Sequence, residues 1–155
     1  MFDYLREFVG RTVPPNRFWP LSDEDIDKAE QRLHFRFPPQ LRTFFQEIGC
    51  GFLAQGIDDN KRDRSLVNRV LSPGEIADIL TISDLPTRPA EGFPKGVIPF
   101  FDIGENSYFV LSLSDSDPHA VYWPGARKPV AVSVQKFFQQ LYCHAGFYRA
   151  LGERL

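Results

Sequence analysis

Three histidines, two cysteines and a group of acidic residues are the side chains here with chemistry to offer. His34, His119 and His144 are scattered, and no two stand at the i, i+3 or i+4 spacing that lets two imidazoles share a metal. Cys50 and Cys143 lie far apart, and no Cys/His cluster has zinc-ligand spacing. Cys143 and His144 are neighbours, but adjacent helical side chains do not face one point. No Gly-rich nucleophile turn or positioned third group accompanies them. No phosphate loop, dinucleotide fingerprint or Gly-x-Ser-x-Gly elbow is present. The expectation is a chain with no catalytic residue, no cofactor and no metal site. Both cysteines are expected as buried free thiols rather than a disulfide.

The acidic residues carry more. Asp102, Glu105, Asp115 and Asp117 put four negative charges between positions 102 and 117, with no Lys or Arg in that span. Residues 124–155 hold Arg127, Lys128, Lys136, Arg149 and Arg154 against Glu153 alone. Asp, Glu, Asn, Gly and Ser are turn formers, so the ordinary reading is a set of solvated turns. The functional reading is an acidic surface that faces a partner. Asp58 and Asp59 join it as weaker members, in a mixed-charge run over residues 58–68 that otherwise reads as a solvated loop. Trp19 and Trp123 each precede a proline, where partial burial is expected, and Trp123 is added to the partner-facing set. Phe44, Phe45, Phe137 and Phe138 recur at helical spacing and read as core. Aromatics do not interleave with Lys or Arg as in a single-strand binding groove, and a net charge of −2 lacks the basic excess of nucleic-acid binders.

The elements that must position these residues are well punctuated. Length (155 residues), 43% apolar and 25% charged content describe one soluble globular domain, and fifteen Phe give it a rigid core. No signal peptide or bilayer-spanning apolar segment is read, so the expected compartment is the cytoplasm. Ser22 caps a helix, with Asp25 in the capping-box position and Ile26, Ala29 and Leu33 on its buried face. Pro38-Pro39 stops it and starts a second helix carrying Leu41, Phe44, Phe45 and Ile48. Gly49 and Gly51 reverse the chain. A short helix is expected over residues 2–9, an apolar lead-in over 18–21, and strands over 51–57 and 67–71. Ser72-Pro73-Gly74-Glu75 starts a third helix. Residues 83–96 read as a loop. Strands follow over 97–101, 108–113 and 120–123, with turns at 102–106 and 115–118 and an edge strand over 129–132. Ser133 caps a last long helix, interrupted at Gly146. This order predicts an α+β fold: an antiparallel meander of about four to six strands flanked by helices.

These residues also form a family pattern. Ala29-Glu30, Leu33, Phe37-Pro38-Pro39, Leu41-Arg42-Thr43-Phe44-Phe45 and Gly49-Cys50-Gly51 resemble the opening signature of the SUKH superfamily. Ile98-Pro99-Phe100, Asp102, Gly104, Tyr108 and Leu111 are similar to its central hairpin. Val121-Tyr122-Trp123 resembles its next strand. Ser133, Phe137-Phe138 and Leu141 resemble its closing helix. The sequence departs from the usual Asn-Gly at residues 48–51, and the turn at 102–106 is less glycine-rich. The resemblance covers residues 22–141, leaving 1–21 and 142–155 as helical extensions of a single SUKH-like domain.

The resemblance implies a non-enzymatic immunity protein that binds a cognate polymorphic toxin, often a nuclease, and occludes its active site in the cytoplasm. The second reading it implies is a regulatory or scaffold module without a toxin, as in cell-wall regulation. Partner contact is expected at Asp102, Glu105, Asp115 and Asp117, then Asp58, Asp59 and Trp123. No direct contact with nucleic acid or membrane is expected.

Overall fold

The computed structural model describes residues 1–56, 66–89, 91–114 and 116–152. Local capping sets most helices. In α1 (Asp23–Leu33) the Ser22 hydroxyl accepts from the Asp25 N–H at 3.1 Å, and the Asp25 carboxylate accepts from the Ser22 N–H at 3.2 Å. Those Ser22 hydrogen bonds hold the Asp25 carboxyl below its usual range. The helix ends at His34 in the left-handed conformation, and Pro39 opens α2 (Pro39–Glu47). Ser72 and Glu75 form a second capping box on α3 (Pro73–Thr81). Ser133 caps α4 (Val134–Cys143), and α5 (Phe147–Gly152) follows. The first helix is of the tighter 3-10 type, over Asp3–Phe8.

Five strands form one antiparallel meander in chain order: β1 (Arg17–Trp19), β2 (Cys50–Phe52), β3 (Arg69–Val70), β4 (Val97–Gly104) and β5 (Ser107–Ser112). Single bridges, Val110 to Tyr122 and Val121 to Ala131, extend it. The α+β meander flanked by helices is therefore as expected, with differences in its elements: the strands expected over 51–57 and 67–71 are the shorter Cys50–Phe52 and Arg69–Val70. Residues 17–19, which overlap the lead-in expected over 18–21, are the edge strand β1. The strands expected over 120–123 and 129–132 shrink to bridges, where Pro124 and Pro129 offer no N–H to continue the pairing. The expected turn over 102–106 narrows to Glu105-Asn106, because β4 pairs with β5 as far as Gly104 and Ser107. Finally, Cys50 is half-buried and Cys143 exposed, not both buried, although both are free thiols.

Register gives the sheet two unlike faces. One row runs Phe18, Gly51, Val70, Phe101 and Phe109 across all five strands, and all five are buried. The helices cover this face. Phe18 packs on Phe44 of α2, Phe44 stacks on Phe138 of α4 at 4.2 Å, and Phe109 meets Tyr148 of α5 at 5.0 Å. A bulge in β4, between the pairs Pro99/Val110 and Phe101/Phe109, breaks the alternation. Phe100 and Phe101 thereby both reach Phe137, at 5.6 and 5.0 Å. The adjacent row runs Arg17, Phe52, Arg69, Asp102 and Tyr108. Its first four residues keep partial solvent contact, and this outer face carries the polar chemistry of the sheet.

Candidate functional site: the β4–β5 hairpin and its flanks

The hairpin turn is built from residues with positive φ. Gly104 has φ +98°, Glu105 +55° and Asn106 +57°, and the strands close on the Gly104/Ser107 pair. This is a two-residue type I′ turn, whose backbone matches the strand twist and favours Asn, Asp or Gly at both central positions. Asn106 fits that preference and Glu105 does not. The hairpin is also anchored from the side. Asn106 Nδ2 donates to the Pro86 carbonyl at 3.1 Å, and Tyr108 Oη donates to the Thr87 carbonyl at 2.7 Å. Burial, and then the Asp102 charge, raise the Tyr108 phenol above its ordinary pKa.

Asp102 is committed inside the protein. One carboxylate oxygen accepts from Arg69 Nη2 at 3.1 Å and the other from the Gly104 N–H at 2.8 Å. Arg69 also donates to Glu75, whose other oxygen closes the α3 capping box. Burial pulls the Arg69 guanidinium down. Hydrogen bonds and charge from Glu75 and Asp102 outweigh that and hold it above its ordinary value. Asp102 therefore braces the base of the hairpin.

Glu105 is exposed at the tip, and its carboxylate has no ion pair or hydrogen bond among the described residues. It borders an open depression of about 610 Å³ with Trp123, Val67, Ile103 and Arg149 on its walls. A second depression of about 560 Å³, with Asp84 and Arg88, adjoins its other side. The Trp123 ring is half-buried, 4.7 Å from Phe109 and 6.3 Å from Tyr148. Its indole N–H is buried without a partner among the described residues.

The structure thus brings Glu105 and Trp123 to one depression. It sets Asp102 behind them. Asp117 stands apart: it is exposed in the turn beyond the far end of β5, where it accepts from the His119 N–H at 3.0 Å. β5 alone spans about 17 Å, so Asp117 and Glu105 do not form one cluster. Asp58, Asp59 and Asp115 lie outside the described residues. Val67, Arg69 and Arg149 were missed by the sequence reading. Arg69 lies 33 residues from Asp102, and only strand register joins them.

Residues 20–140 match the family model described as SMI1 / KNR4 family (SUKH-1). The chain belongs to that family. The SMI1 / KNR4 match takes in α1 through most of α4, including the hairpin, while β1 and α5 lie outside it. Over 131 residues the chain is 26% identical to a Bacillus subtilis (strain 168) protein named Immunity protein YxxD, covering 81% of this chain and 83% of that protein. No solved structure matches.

Within this SMI1 / KNR4 chain no described group of three His, Cys, Asp or Glu residues is arranged to hold a metal ion. No helix among the described residues is long and apolar enough to cross a membrane. Burial, and then the Glu75 charge, push the Cys50 thiol up to about 11, with Arg69 opposing. At pH 8 only about one Cys50 in a thousand is then the reactive thiolate. Iodoacetamide at pH 8 is expected to label exposed Cys143 first and Cys50 only after unfolding. Equal labelling of both in the native protein would contradict this assignment.

Proposed function

We propose that this SMI1 / KNR4 family member is a non-catalytic immunity protein. It binds a cognate protein toxin in the cytoplasm and occludes its active site, with the hairpin tip leading the contact. One observation carries the geometry: an exposed glutamate, unpaired among the described residues, occupies a turn position whose backbone prefers Asn, Asp or Gly. Holding a non-glycine residue left-handed costs about 1 kcal/mol. Such strain at an exposed tip is consistent with a side chain retained for a contact. The similarity to a protein named as an immunity protein supports the same reading.

A toxin that acts on nucleic acid presents a basic cleft. Glu105 would enter that cleft as a phosphate substitute, and Trp123 beside it supplies apolar area. Asp117, and on charge alone Asp58, Asp59 and Asp115, extend the negative field that steers association. Asp102 contributes through the hairpin it braces.

The test uses the product of the gene adjacent to this chain's, as the candidate toxin, and two variants. Glu105→Gly relieves the turn and is expected to raise the melting temperature by about 2–4 °C. It is also expected to weaken toxin affinity about tenfold, as loss of one charged contact does. Glu105→Lys is expected to weaken it further and to flatten the salt dependence of association. Unchanged affinity of both variants at low salt would remove the hairpin from the interface. Absence of any complex with the toxin would remove the immunity reading itself and favour a scaffold role.

A further inference from the structure

We infer that the outer face of the sheet at β1 and β2 is a second docking surface, for a protein segment that brings a carboxylate to Arg17 and an apolar side chain to Trp19. This surface stands whether or not the hairpin meets a toxin. The row Arg17, Phe52, Arg69, Asp102, Tyr108 contains two arginines in unlike states. Arg69 is neutralised by two carboxylates, Glu75 and Asp102. Arg17 has no carboxylate partner among the described residues. Its guanidinium lies over the Phe52 ring at 4.5 Å and 5.6 Å from the Trp19 ring. Among the described residues its hydrogen bonding is one Nη2 contact to Gln55 Oε1 at 3.3 Å, and its Nε is buried with no acceptor.

Stacking on a ring fixes the plane of a guanidinium without consuming its donors. Arg17 is thereby a preorganised fork with spare N–H groups, the geometry that receives a carboxylate. Beside it, Trp19 is 45% exposed and braced edge-on against Phe52 at 6.1 Å. An exposed, rigid Trp next to an Arg with no carboxylate partner among the described residues is the composition of an interface anchor.

Charge decides the class of partner. A nucleic-acid strand that follows the row from Arg17 reaches the Glu75–Arg69–Asp102 cluster within two strand spacings, about 10 Å. That cluster holds two acids to one base and repels a polyanion. A protein segment with one acid over Arg17, and a basic or neutral residue further on, meets no such conflict. Strand addition at β1 is excluded as the mode, because the Gly10 N–H already donates to the Phe18 carbonyl at 2.8 Å and Val9 bridges Phe18. The contact is made by side chains on the face.

The test follows the Arg17 Nε–H and Trp19 indole N–H signals by heteronuclear NMR in the full chain. The probes are acetyl-Ala-Phe-Asp-Ala-amide and its Asn analogue, each up to about 10 mM, the range where a contact of this size saturates. The Asp peptide is expected to shift both signals saturably, at least about tenfold more tightly than the Asn peptide. Arg17→Gln should abolish the difference between the peptides. The comparison of peptides on the unaltered chain needs no variant to fold. Equal responses to the two peptides, or none, would overturn the proposal. A tighter response to an oligothymidylate would overturn it in favour of nucleic acid. Shifts that depend on protein concentration alone would assign the face to a second copy of the chain instead.

Discussion

Gly51→Ala is expected to lower the melting temperature by about 10 °C, the shift that a loss of about 3 kcal/mol produces in a domain of this size. Gly51 is the second residue of the buried row, between Phe18 and Val70. Its φ of +145° is one that side chains rarely adopt, which alone costs about 1–3 kcal/mol. A Cβ there would stand 2.2 Å from the Arg17 carbonyl oxygen and 2.9 Å from the Phe18 Cα. Both are backbone atoms, so no rotamer change makes room. β1 would have to move away from β2 and withdraw Phe18 from Phe44. Gly10 supplies the control, since it also has positive φ, +84°, but no described residue beyond its chain neighbours lies within 4 Å of its would-be Cβ. Gly10→Ala should cost only the conformational part, about 1 kcal/mol. Thermal melts of the two variants separate the close approach from the backbone preference. Equal costs would show that β1 does not press on Gly51. The same displacement would carry Arg17 off the Phe52 ring, so Gly51→Ala should also erase the peptide response of the outer face.

That glycine shows where sequence reading stops. Gly49 and Gly51 are legible as a chain reversal after α2, and Gly49 serves it with φ +107°, but Gly51 falls inside β2. The close approach of β1 is not legible, because β1 has three residues, no alternation to speak of, and partners over thirty positions away. Capping is the opposite case. Ser22 with Asp25, Ser72 with Glu75, and Ser133 each act within one helical turn, so spacing alone predicts them. The acidic set falls between. Its residues are turn formers, and Glu105 and Asp117 do sit at turns. Which turns share an end of the sheet depends on strand length and direction. β5 separates the two, while Trp123, far from Glu105 in sequence, arrives beside it through the bridge of Tyr122 to Val110. Asp102 looks like its acidic neighbours by composition, but β4 continues past it and turns it to Arg69.

Asn68→Ala should be the most damaging polar substitution among the described residues, at about 3–4 kcal/mol. Asn68 is 0% exposed and the sole buried polar residue described. Its Nδ2 donates to the Ala54 carbonyl at 3.3 Å and to the Ala145 carbonyl at 3.1 Å, and its Oδ1 accepts from Tyr148 Oη at 2.6 Å. It holds φ +46°, a conformation that Asn tolerates better than Ala. Truncation therefore strands two buried carbonyls, opens a cavity and strains the backbone. Tyr148→Phe removes the bond to Asn68 and should cost about 1 kcal/mol. A double-mutant cycle on the pair should show coupling of about 1 kcal/mol or more, and additivity within about 0.3 kcal/mol would mean that they do not act as a unit. The consequence reaches the candidate site. Asn68 fixes its neighbour Val67, and through Tyr148 it fixes the start of α5, which carries Arg149 and rests on Trp123. These three residues wall the depression beside Glu105. Asn68→Ala, measured well below its melting temperature, should therefore weaken toxin binding and raise amide exchange over Phe147–Gly152, although Asn68 itself is buried and touches no partner. A variant destabilised as expected but with unchanged exchange in α5 and unchanged affinity would separate the clamp from the site. It would leave the hairpin tip alone as the proposed contact.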